Sequence, residues 1–235
     1  AGVFSDAVGN TNSVSNTFDW TYDGTGPTMT ITSSTVSSGA STTTAAVALT
    51  FTSNEATSNF AQTDITESGC SLGSFGTTSS TIYTDTCTVS ADGAASVLVA
   101  ATTFTDAVSN ANSASNTYSW TQDDTGPTMT ITSATVDSGS DTNTAGVALV
   151  FTSNEATTDF IAGDITVSGC SLGSLTGSSS TVYTATCTAT SEGTPTVAVA
   201  AGAFSDALSN TNSVSNTYTW TYDTTAPTIG ITIVA

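Results

Sequence analysis

Apolar residues along this chain alternate with polar ones at period two, and no helical period lasts beyond a turn. Met29 and Ile31 alternate in TMTIT (strand A). Val47, Leu49 and Phe51 do so in AVALTFTS (strand B). Ile65 lies in TDITESG (C) and Leu72 in CSLGSF (D). Tyr83, Cys87 and Val89 fall on one face of TIYTDTCTV (E). Val97 and Val99 mark ASVLVAA (F), and Tyr118 and Trp120 close SNTYSW (G). Turn-forming stretches separate them: SSGAS, SNEAT, GTTSS, ADGA and FTDAVSNANS.

The whole pattern recurs every 100 residues without insertion or deletion. Asp6, Asp106 and Asp206 are in register, as are Trp20, Trp120 and Trp220, and Pro27, Pro127 and Pro227. A fixed period means one folded unit copied in tandem. Seven short strands in about 100 residues predict an all-β chain of immunoglobulin-like seven-stranded β-sandwiches. Two complete units are expected at 25–124 and 125–224. Residues 1–24 correspond to the strand G region of a preceding unit and 225–235 to the first strand of a following one, as in a window on a longer array.

Composition narrows the function. The 235 residues include no Lys, Arg or His, and 19 carboxylates give a formal charge of −19. Nothing here neutralises a phosphate backbone, so nucleic acid is excluded as a partner. No ion pair forms between side chains, and edge strands lack Lys guards. Compensating charge has to come from cations in solvent or from a partner. Thr, a strand former, is abundant, and hydrophobic residues reach 37%, so the polarity does not signal disorder. No stretch is apolar enough to span a membrane, and no signal peptide opens the chain. No Asn lies in an N-x-Ser/Thr sequon, whereas O-glycans on the many Ser and Thr residues stay open.

Cys70 with Cys87, and Cys170 with Cys187, form two equivalent pairs. They are expected to be disulfides, formed in an oxidising compartment and pinning the neighbouring strands D and E. Zinc is disfavoured by the spacing and by the lack of His. The Trp closing strand G is expected to plug the core, as are Phe60 and Phe160, which recur beside the B–C loop.

The runs FSDAVGNTNSVSNTFDWTYDGTGPT, FTDAVSNANSASNTYSWTQDDTGPT and FSDALSNTNSVSNTYTWTYDTTAPT resemble the tandem bacterial-type Ig-like repeats of giant surface proteins and adhesins. The D-x-T-x-P linkers, FTSNEAT and SEGTPTVAVAAGAF fit that pattern too. The resemblance covers the whole chain and implies the same fold. The cysteine pair is not part of it.

In such a sandwich the B–C and F–G loops share the pole where strand A starts. At the first joint this gathers Asp23 from the linker, Asn54 and Glu55, then Asp106, Asn110 and Asn112. At the second it gathers Asp123 and Asp124, Asn154 and Glu155, then Asp206, Asn210 and Asn212. Oxygen ligands from three sequence-distant segments suit Ca²⁺. The layout is similar to cadherin junctions and calcium-stiffened adhesin repeats, which implies an ion clamping the linker. Turn chemistry is the other reading, since Asn and Asp side chains bond their own backbone in turns.

Catalysis has no foothold: there is no His general base, and neither His nor Lys to activate a Ser. The expected function is structural, a rigid, protease-resistant rod in an extracellular filament, stalk or surface appendage. Each unit adds about 35–45 Å. Its partners are adjacent repeats, with lateral self-association open. An adhesin segment binding glycan or a cell-surface partner is the alternative, and an accessory module of a secreted hydrolase is a third.

Overall fold

The computed structural model describes residues 1–57 and 59–233. The first unit builds β1 (Met29–Ser33), β2 (Ser41–Thr42), β3 (Ala46–Ser53), β4 (Ile65–Ser68), β5 (Ser71–Leu72), β6 (Gly76–Thr77), β7 (Ile82–Thr88), β8 (Gly93–Val99) and β9 (Tyr118–Gln122). One sheet runs β1-β3-β7-β5, with β6 also on β7; the other runs β2-β9-β8-β4. Pairing is antiparallel except β2 on β9.

The second unit repeats this plan. Its strands are β10 (Met129–Thr132), β11 (Asp141–Thr142), β12 (Gly146–Ser153), β13 (Ile165–Ser168), β14 (Cys170–Leu172), β15 (Thr176–Gly177), β16 (Val182–Ala189), β17 (Thr196–Val199), β18 (Tyr218–Thr219) and β19 (Thr221–Tyr222). Here the last strand is split in two around Trp220.

The period-two pattern is what closes each sandwich. Val47, Leu49, Phe51, Tyr83 and Cys87 point inward from one sheet; Val97, Val99, Tyr118 and Trp120 meet them from the other. Each such large apolar side chain contributes about 1.5–3 kcal/mol by leaving water. Phe60 is the hub of an aromatic cluster, with ring centroids 5.0 Å from Tyr83 and Phe104 and 5.7 Å from Phe75. Phe160 repeats the contacts to Tyr183 and Phe204 at 5.0 Å, with Leu175 in the place of Phe75. Both phenylalanines are buried, so they are core residues.

The seven expected strands form, and the short strands β2 and β6 add to them. Neither short strand has an apolar alternation to reveal it. Each is two residues of Ser, Thr or Gly, paired only because the tertiary fold brings an edge alongside. A further departure lies inside the core. Asp85 faces inward on β7, where its carboxylate accepts hydrogen bonds from Gln62 Nε2 (2.8 Å), Gly73 N (3.1 Å) and Thr86 N (2.7 Å). Neutral donors make a buried carboxylate tolerable in a chain without cations. Ala185 takes its place in the second unit.

Cys70–Cys87 and Cys170–Cys187 are disulfides, with Cα–Cα distances of 5.6 and 5.7 Å. Each ties β5 or β14 to its neighbour in the same sheet. The chain has just switched sheets there, from β4 to β5, through Gly69 at φ +73°. A side chain at Gly69 would run into the Ala94 carbonyl.

Residues 1–24 lie outside both sandwiches. Trp20 is 74% exposed, whereas Trp120 and Trp220, in the same register, are 2% and 0% exposed. Among the described residues no helix is long and apolar enough to cross a membrane.

Candidate metal centre

The pole of each sandwich is built around an aspartate turn. Asp106 Oδ1 accepts the N–H groups of Val108 (2.9 Å) and Asn110 (2.8 Å), and its Oδ2 accepts Asn110 Nδ2 at 2.8 Å. Asp206 does the same with Leu208 and Asn210, at 2.8–2.9 Å. So does Asp6 with Val8 and Asn10, in a segment that no sandwich surrounds. The loop's shape is therefore local turn chemistry. The turn needs a left-handed residue. Gly9 supplies it at φ +86°, but Ser109 and Ser209 adopt +73° and +70° despite their side chains.

Asn112 locks the loop to the sandwich. Its Oδ1 accepts from Thr103 N (2.8 Å) and Phe104 N (3.0 Å), and its Nδ2 donates to the carbonyls of Ala100 (2.7 Å) and Ser113 (2.8 Å). Asn212 repeats this at Ala203, Phe204, Ala200 and Ser213. Both amides are fully engaged in the loop. The linker is fixed next. Asn110 Nδ2 donates to the Asp23 carbonyl, and Asn210 Nδ2 to that of Asp123, both at 3.2 Å. Gly26 and Gly126 pass so close to the loop that a Cβ would lie 1.9 Å from the carbonyl oxygen of Ala111 or Thr211.

These supports bring three carboxylates together at each joint. Oxygens of Asp23, Glu55 and Asp106 lie within 4.8 Å of one another, and so do those of Asp123, Glu155 and Asp206. Glu55 is the least compensated member, with a hydrogen bond from Asn54 alone set against its burial and its neighbours' charge. Its Oε1 is out of contact with solvent and has no hydrogen-bond partner. Burial, then the charges of Asp23 and Asp106, push its carboxyl above the usual glutamate range. Glu155 is pushed up by burial, then by Asp123 and Asp206, and further by Asp92. Asp106 goes the other way. Burial opposes its charge, but the bonds from Asn110, Val108 and Ser109 prevail and lower it.

The second cluster lines a cleft of about 280 Å³, to which Ser41 of the preceding unit and Leu208 also contribute. Ca²⁺ binds oxygens at about 2.4 Å, so its ligands are at most about 4.8 Å apart. The clusters meet that limit with three hard, anionic donors each, leaving further positions for water.

Other residues expected at the site have different work. Asn54 Oδ1 accepts the Thr28 N–H, and Asn154 Oδ1 that of Thr128, both at 2.6 Å, so these oxygens cap the start of β1 and β10. Asn110 and Asn210 turn their amide nitrogens to the linker, as above. Asp124 faces away from the cluster, towards Asp92 in the β7–β8 turn of the preceding unit. Its carboxyl is pushed up by the hydrogen bond to Asp92 and by that charge.

Sequence reasoning missed Asp92 and its counterpart Glu192. Asp92 accepts the Asp124 N–H at 2.9 Å and the Thr125 hydroxyl. Glu192 accepts Thr224 N at 2.8 Å and the Thr225 hydroxyl at 2.9 Å. The available signal was an acid at the same register in ADGA and SEGT, passed over as ordinary turn composition.

The chain matches a family model described as bacterial Ig-like domain twice, over residues 23–121 and 123–222. Among solved structures it is similar to InvD of Yersinia pseudotuberculosis at 19% identity, over 86% of this chain and 60% of that one, with a TM-score of 0.39. It is also similar to FdeC, an Escherichia coli adhesin, at 11% identity, over 83% and 62%, with a TM-score of 0.42. Invasin, a bacterial integrin-binding protein, aligns at 18% identity, over 72% and 36%, with a TM-score of 0.40. The chain thus spans less than two thirds of each of these structures. No curated protein sequence matches it.

Proposed function

The chain belongs to the family of bacterial Ig-like domains, and on that premise we propose that it is a non-enzymatic structural segment of an extracellular surface appendage, its joints stiffened by Ca²⁺. The observation that carries this reading is the triple carboxylate at each joint, with the Glu55 oxygen buried and unpartnered. A chain without Lys, Arg or His has no side-chain cation to set against that charge. The ion would join the linker aspartate to two loops of the following unit. At the second joint the linker is already held from the other side by Asp92.

An adhesin role calls for one unit that departs from its sister, with exposed aromatic residues in its loops. Phe60 and Phe160 are buried in both units, which favours the structural reading.

Calcium titration by isothermal calorimetry tests it. The expected result is about two ions per chain, one for each cluster, with dissociation constants in the 10⁻⁵–10⁻³ M range. Scattering should also show a stiffer particle in Ca²⁺ than in excess chelator. Absence of binding at several millimolar Ca²⁺, with unchanged melting in chelator, overturns the ion. A stiff particle in chelator would leave the structural role without it.

A further inference from the structure

The outer face of the β1-β3-β7 sheet carries no charge. Thr30 and Thr32 point outward from β1, Ala46, Ala48, Thr50 and Thr52 from β3, and Ile82, Thr84, Thr86 and Thr88 from β7. Register places them in rows: Thr30 beside Thr52, Thr32 beside Thr50 beside Thr84, and Ala48 beside Thr86. In the second unit Thr130 lies beside Thr152, Val150 beside Thr184, and Ala148 beside Thr186. All 19 carboxylates of the chain lie elsewhere, in loops, linkers, inward positions and the other sheet.

We infer that this face is where a second copy of the chain packs, side by side. Charge distribution selects the occupant. Two copies that each carry −19 and no cation repel wherever their acidic surfaces meet. Only a face free of carboxylates lets them touch without that cost. The chemistry is also self-complementary, since methyl groups of Thr, Ala and Ile leave water while hydroxyls pair across the contact.

The area fits. Three strands at about 4.8 Å spacing and about seven residues at about 3.3 Å give a patch of about 330 Å² per unit. One unit from each of two copies buries about 660 Å², short of a stable interface. Two units from each bury about 1,300 Å², at the low end of the standard range. Association should therefore need at least two units. This inference rests on the chain being a structural array; monomeric chains with stiff joints would defeat it and leave that function standing.

Sedimentation velocity of the whole chain in Ca²⁺ buffer, from micromolar to millimolar protein, tests the contact. Concentration-dependent association is expected, at least tenfold tighter at about 0.5 M salt than at about 0.02 M, as screening relieves the net repulsion. Thr86→Asp with Thr186→Asp should weaken it at least tenfold. Thr66→Asp with Thr166→Asp, on the opposite sheet, should leave it unchanged. Thr86→Lys with Thr186→Lys, mixed with the aspartate variant, should restore it. Circular dichroism confirms that each variant is folded. A chain that stays monomeric throughout, or association indifferent to the Thr86 and Thr186 substitutions, overturns the inference. So does a monomer that sediments with insoluble polysaccharide through this face, since the occupant is then a glycan.

Discussion

Asp92 in the β7–β8 turn accepts the backbone N–H of Asp124 at 2.9 Å, so one unit grips the peptide that leads into the next. Asn210 of the following unit holds the neighbouring Asp123 carbonyl at 3.2 Å. Asp92→Ala is expected to loosen the joint without destabilising either sandwich. Residual dipolar couplings should then show the two units reorienting more independently, while both melting transitions stay within about 2 °C. Equal alignment of the two units in the variant and the parent would refute a role for Asp92 as an anchor.

The acidic clusters predict a pH dependence that changes sign with metal. The carboxyls of Glu55 and Glu155 are raised in the folded state. The folded chain then binds protons more readily than the unfolded one, so stability falls as pH rises from about 4.3 through the raised values. Asp106 is lowered, and the stability it contributes is lost as pH falls below about 3.9. In chelator, Glu55→Gln with Glu155→Gln should raise the melting temperature at pH 7 and flatten the first limb. In Ca²⁺ the same pair should lower it. Thermal melts across pH, with and without the ion, separate these outcomes.

Reduction should expose how much each disulfide contributes. Each bridge closes a loop of sequence separation 17, which in the chain-entropy model stabilises by about 3 kcal/mol. Cys70→Ser with Cys87→Ser should therefore lower the melting temperature of the first unit by about 12–24 °C and leave the second where it was. Calorimetry would then resolve two transitions in place of overlapping ones.

Two backbone positions predict opposite effects from adding or removing a methyl-sized group. Ser109 holds φ +73°, so Ser109→Gly should stabilise the first unit by about 1 kcal/mol. Gly126 packs against the Thr211 carbonyl, and Gly126→Ala should destabilise the second by about 1–3 kcal/mol or shift its linker. Urea denaturation of the variants measures both.

Period-two alternation made the seven main strands and the core readable in the sequence, because Val47, Leu49 and Phe51 have to face one way for a sandwich to close. Recurrence at the 100-residue period kept Phe60 among the core residues. Alternation did not reveal β2, whose Ser41–Thr42 pairing depends on β9 arriving from some 80 positions along the chain. Nor did it place Asp85 inside, since an acid on the inward register looks like an error until Gln62 and Gly73 are seen donating to it. At the joint, carboxylate identity and period singled out Asp23, Glu55 and Asp106. The same reasoning did not foresee that Asn54 and Asn112 bond the backbone, because an amide serves a backbone as readily as an ion.

Under tension the disulfides set a length. When a unit is pulled open, the segment between Cys70 and Cys87, or Cys170 and Cys187, stays a closed ring and pays out none of its chain. Seventeen residue spacings at about 3.4 Å withhold about 58 Å of contour from each unravelled unit. An oxidised unit that yields to force therefore lengthens by a smaller, fixed step, and the redox state of its surroundings sets how far it can stretch.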